Sequence, residues 1–232
     1  LWMGLPKDAR LSRADLAARV DDCLGVRKPA AQRTPEQARR LKTIVDVIRI
    51  PESAVLAHLN WATWHFQDIA LHRTGGGNPF DNERVRYAGS PDDAALNAAV
   101  LRYRADPAAA ARFAADTDPT GRIAVPVLTT HGIGDATAFV ELESAFRQTM
   151  EAAGHGGNLV QTFVDSREHS YLGDATYPPL FDALLEWIDR GTKPTPAAVA
   201  ERCAAQAARW GGGCRFVPDY RPAPLESRVA PR

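Results

Sequence analysis

The sequence predicts an α/β chain, with a parallel sheet in its second half preceded by an all-helical region. Two observations carry this. Residues 1 to 120 repeat a helix-capping residue followed by helical periodicity and show no strand pattern, and from Ile123 the texture changes to strand, helix, strand, helix. Strands separated by helices pair in parallel through a crossover. The regions this implies are 1 to 120, helical; 121 to 195, carrying the sheet; and 196 to 232, a terminal helix and an extended tail.

The elements follow in order. "SRADLAARVDDCL" opens on a capping serine and keeps Leu16, Val20 and Leu24 on one face. "TPEQARRLKTIVDVI" has threonine as cap, proline in the first turn and Gln37 placed for a capping box. A third helix runs from Pro51 to about His72, where "RTGGGNPFDN" breaks the pattern with three glycines and a proline. "SPDDAALNAAVLRYRA" and "DPAAAARFAADT" are two further helices, each with a cap before a proline. "IAVPVLTTH" and "NLVQTFVD" are apolar runs of strand length, "TAFVELESAFRQTMEAAG" between them is an amphipathic helix, and "YPPLFDALLEWIDRG" is a helix closed by Gly191. Two strands are too few for a sheet, so the sheet is expected to continue in residues outside this chain, or the chain to pair with another.

Composition narrows the function. The 232 residues are 45% hydrophobic and 24% charged, with 28 basic residues against 28 acidic ones, so no summed field draws nucleic acid or anionic lipid; a small neutral partner is expected. No run of about 18 apolar residues, the length of a membrane span, is present. The opening "LWMGLPKDARLSRADLAARV" lacks the layout of an intact signal peptide and an initiator methionine, which reads as a processed or truncated beginning.

Of the three cysteines, Cys203 and Cys214 bracket a stretch ending in "WGGGC", whose glycines let the chain turn back on itself. A disulfide is expected there, two free buried thiols being the alternative, and Cys23 is left free or paired outside the chain. Such a staple points to a secreted or periplasmic protein. No cysteine and histidine spacing matches a zinc site.

Functional groups in open parallel sheets sit in the loops beyond the carboxyl ends of the strands. Asp135 follows the first strand and His169 the second, which would put an acid and a base at one sheet edge. A carboxylate bonded to one imidazole nitrogen fixes the tautomer while the other nitrogen takes a proton. Spacing alone says little, since surface loops also carry such residues. The words around them say more. "PVLTTHGIGDATAF", a helix ending "AGHGG", "LVQTFVDSREHSYLGD" and a helix ending "WIDRG" together resemble the C-terminal half of the α/β-hydrolase family of serine esterases, lipases and peptidases, over roughly Arg122 to Pro194.

That resemblance implies the C-terminal part of an α/β-hydrolase parallel sheet preceded by an all-helical cap region, with Asp135 as triad acid and His169 as base. Glu168 stands where the family commonly has glycine. The family's G-x-S-x-G nucleophile turn is not found. The nearest string, "YAGSPDD" around Ser90, lacks the second glycine and reads as a helix cap with Pro91 in the first turn. The resemblance therefore implies that the nucleophilic serine and the oxyanion hole come from an upstream segment or a companion chain.

In a cap, "HLNWATWHFQDIALH" would offer Trp61, Trp64 and Phe66 as apolar surfaces for substrate, with core packing as the alternative. The same segment spaces His58, His65 and His72 seven apart, about 10 Å along a helix, too far for a common metal. His65, Asp68 and His72 share a face, but a hydrogen-bonded polar stripe is the preferred reading over a metal site. The function implied is a cofactor-free serine esterase acting on a small-molecule carboxylic ester. A peptidase or amidase of the same fold, or a non-catalytic binding protein on a hydrolase scaffold, are the alternatives.

Overall fold

A computed structural model describes residues 12 to 230, so the signal-peptide reading of the first residues lies largely outside it. The chain divides into two units between Asp118 and Pro119.

The first unit is built from helices whose starts are written locally. In α1 (Arg13–Leu24) Ser12 accepts from the Asp15 N–H while Asp15 reaches back to Ser12, and in α2 (Pro35–Ile48) Thr34 and Gln37 do the same. These reciprocal bonds satisfy amides that a helix start leaves open. Leu16, Ala17, Val20 and Leu24 of α1 are buried, as are Leu41 of α2 and Val55 of α3 (Val55–Asp68). Fully burying a side chain of this size contributes about 1.5–3 kcal/mol. The third helix ends in a π-turn at Ile69–Arg73, where the Thr74 hydroxyl is shared among the carbonyls of Ile69, Ala70 and Gly77.

Two short helices complete this unit, α4 (Asp93–Ala99) and α5 (Pro107–Thr117). The latter starts on Asp106, as expected, but α4 is shorter than its sequence pattern. Its cap is Asp92, not Ser90; the Ser90 hydroxyl instead donates to Asp93 at 2.6 Å. The Asn97 side chain ties Tyr87 at both its N–H and its carbonyl, which holds the preceding loop against the helix.

In the second unit, β1 (Val127–Gly132) and β2 (Leu159–Val164) pair in parallel, Val127 opposite Leu159 through Gly132 opposite Val164. The connecting helix α6 (Leu142–Ala152) packs on one face, where Glu143 meets Thr129 and Gln161. On the other face Leu128 packs with Leu180 and Ala183 of α7 (Tyr177–Arg190) and Val199 of α8 (Pro196–Gln206). Gly191, at φ +72°, closes α7 in the left-handed conformation that glycine adopts without steric cost.

The expected fold class is overturned. The described residues are 54% helix and only 6% strand, and the sheet has two strands, so the chain is mainly helical and shows no α/β-hydrolase sheet. Two short strands persist here because helices cover both faces and the tail covers part of one edge. Asp165 donates to the Arg215 carbonyl and Val217 to that of Phe163, making an antiparallel bridge between Val164 and Phe216. The disulfide between Cys203 and Cys214, with Cα atoms 5.9 Å apart, anchors that tail to α8. Cys23 is free and exposed.

Candidate functional site

The loops after the two strands meet because glycines let them. A Cβ on Gly132 would stand 3.0 Å from the carbonyls of Ser166 and Glu168, and one on Gly134 would stand 2.8 Å from the Arg167 side chain. With hydrogen there, the Ile133 N–H reaches the Val164 carbonyl and the Gly134 N–H the Ser166 carbonyl, locking one loop to the other.

This contact delivers Asp135 to His169. The Asp135 carboxylate is buried, its side chain only 3% exposed, and Oδ2 lies 2.8 Å from His169 Nδ1. Oδ1 accepts from the N–H groups of Thr137 at 2.7 Å and Ala138 at 3.1 Å. Those bonds explain why α6 begins at Leu142 rather than near Thr137: the first amides of the expected helix turn inward to the carboxylate. The His169 ring is half exposed, and among the described residues its Nε2 has no hydrogen-bond partner. An imidazole bonded to a buried carboxylate on one nitrogen and open on the other is built to accept a proton at the open atom.

A second carboxylate–imidazole pair stands behind the first. His131, on β1, places Nδ1 3.2 Å from Glu143 Oε1 and Nε2 2.8 Å from the Ala138 carbonyl, with Nε2 3.6 Å from Asp135 Oδ2. Both nitrogens face acceptors, so with Glu143 ionised the ring is satisfied only when both carry protons. The Glu143 carboxylate accordingly raises His131 above the ordinary imidazole value, against the opposing effect of burial. Burial alone would push Glu143 up, but hydrogen bonds from His131, Thr129 and Gln161 outweigh it and hold this carboxyl below its usual range.

Sequence reasoning placed Asp135 and His169 in these loops and missed His131, Glu143 and the two glycines. The available signal was polar residues inside strand-length apolar runs, Thr129 and His131 in one and Gln161 in the other, all on one sheet face.

The other candidates lie in the first unit, on α3. Trp61 is 58% exposed and stacks on His65, with ring centroids 4.3 Å apart. Phe66 packs against Phe80, and the Trp64 indole nitrogen is buried and has no hydrogen-bond partner among the described residues. Asp68 pairs with Arg73, and among the described residues no group of three or more histidine, cysteine or acidic side chains is arranged to hold a metal ion. Ser90 has its hydroxyl on a carboxylate and no histidine beside it among its hydrogen-bond partners. A groove of about 320 Å³ runs along α7 and α8, lined by Asp182, Leu185, Glu186, Asp189, Arg190 and Arg202. Within it Arg202 pairs with Glu186, and Asp182 accepts from Gln206.

No helix among the described residues is long and apolar enough to cross a membrane. Comparison with protein-family models, with curated proteins and with solved structures finds no match.

Proposed function

We propose that this chain supplies the acid and base of a serine hydrolase, which cleaves a small-molecule carboxylic ester through an acyl-enzyme. The nucleophilic serine belongs to an upstream segment or a companion chain. The observation that carries this reading is the Asp135–His169 pair, with Nδ1 held at 2.8 Å by a buried carboxylate and Nε2 open. His169 Nε2 takes the serine proton as the oxygen attacks the ester carbonyl, and Asp135 stabilises the imidazolium so formed. The same proton then passes to the departing alkoxide, and water repeats the sequence to release the acid. These steps use no metal or cofactor. The disulfide supports an oxidising compartment, outside the cytosol, as the place of action.

The test is to treat the native preparation with a fluorophosphonate, which labels activated serines, and weigh every denatured chain. Label on a companion chain or a longer precursor, lost in His169→Ala, is the expected result. A preparation with every chain accounted for and none labelled would replace this reading with that of a binding protein, which the lack of a serine partner for His169 Nε2 among the described residues also favours.

A further inference from the structure

We propose that His131, fixed at Nδ1 by Glu143, is the positioning residue for Asp135: its Nε2–H holds the Ala138 carbonyl and so shapes the turn that clamps the carboxylate. This deepens the triad reading and rests on it. The geometry is a closed chain of contacts. Asp135 Oδ1 is held by the N–H groups of Thr137 and Ala138, and the carbonyl of that same Ala138 is held by His131. One peptide residue is therefore gripped from both sides, by the acid through its N–H and by the second histidine through its carbonyl. With Oδ1 committed to the turn, Oδ2 is left for His169.

Four elements converge on this arrangement. The charged groups facing His131 are Glu143 from α6 and Asp135 from the loop after β1. Thr129 from β1 and Gln161 from β2 both donate to Glu143 Oε2, so Oε1 is the oxygen presented to the ring. A carboxylate bonded this way cannot turn away from His131 without breaking two further bonds in a buried place. His131 Nε2 also lies 3.6 Å from Asp135 Oδ2.

His131 touches neither substrate nor nucleophile on this account. Its role is read from the clamp, by hydrogen exchange at the Thr137 and Ala138 amides and by the ring proton on His169 Nδ1 in nitrogen-15-labelled protein. In His131→Ala those two amides are expected to exchange about tenfold faster relative to the β2 amides of Thr162 and Phe163, and the His169 ring proton to be lost to solvent. His131→Gln, whose amide can still donate to the Ala138 carbonyl, is expected to restore both signals. A general loosening would speed all amides alike and would not be rescued by glutamine. Unchanged protection at Thr137 and Ala138 in folded His131→Ala overturns the proposal, as does uniform loss across β2.

If the alanine variant does not fold, Glu143→Gln decides. The His131 titration midpoint is expected to fall as the Glu143 carboxylate that raises it is removed, with faster exchange at the same two amides. No change in either overturns the proposal. Failure of the triad reading is separate: it would appear as absent fluorophosphonate label with the amide pattern intact, which would leave His131 as the clamp of Asp135 and remove only the serine.

Discussion

Three charged pairs of the first unit and the two carboxylate–histidine pairs of the second are placed in opposite ways. In the first, Arg39 with Glu36, Lys42 with Asp46, and Arg104 with Glu83 sit at the surface, and the first two of these pairs join residues three or four apart on one helix. In the second, Asp135 and Glu143 are drawn inward and reach their histidines across 34 and 12 residues of chain. Exposed pairs gain little, because water screens them and holding two long side chains costs entropy. A buried pair carries a desolvation cost that an apolar pair of similar volume would avoid. A fold that draws two carboxylates inward beside histidines has a reason other than stability: Asp135 serves the proton transfer at His169 proposed above, and Glu143 holds the histidine proposed to position Asp135.

The largest expected effect breaks the buried side of this contrast. His131→Leu leaves the Glu143 carboxylate buried without its cation and should destabilise the second unit by about 3–5 kcal/mol, read by chemical denaturation. The pair also has a pH window. Glu143 lies below its ordinary 4.5, so its contribution is complete above that value and is lost as pH falls through the lowered folded-state pKa. His131 lies above 6.5, so its contribution is complete below that value and is lost as pH rises through the raised folded-state pKa. The stability difference between wild type and Glu143→Gln should therefore be greatest between pH 4.5 and 6.5. A difference that does not vary with pH would erase the distinction between the units.

Next in size is the covalent tie. Cys203→Ala with Cys214→Ala opens a loop with a sequence separation of 11 and should cost about 3 kcal/mol, with faster amide exchange at Asp165 and Val217, where the tail meets β2. The smallest effects belong to the first unit: Thr34→Ala removes a capping box and should cost about 1 kcal/mol, and Lys42→Ala less than about 0.5 kcal/mol. Thermal melts of both would sharpen the comparison, and a loss from Lys42→Ala as large as that from His131→Leu would overturn it.

What the sequence made legible follows the same division. Ser12, Thr34, Asp106 and Gly191 act on amides or carbonyls a few residues away, so their roles could be read from a short window, and they stand where the sequence put them. Cys203 and Cys214 were readable because glycines lie between them. Class was misjudged because two strands were taken as a fragment of a larger sheet, whereas Phe216, more than fifty residues beyond its partner Val164, already borders β2. In the loops, Asp135 and His169 were visible as a pair in order, but the grip of His131 on the Ala138 carbonyl was not. Nothing in a linear pattern says that a strand histidine will meet a helix glutamate on one side and a loop peptide on the other.

The disulfide has one more consequence, for how this molecule would respond to a protease. Gly211, Gly212 and Gly213 are exposed, all with positive φ, and they lie inside the loop that Cys203 and Cys214 close. A cut in those glycines severs the backbone without separating the pieces. The C-terminal fragment stays on β2 and the mass rises only by one water, until a reductant releases the tail.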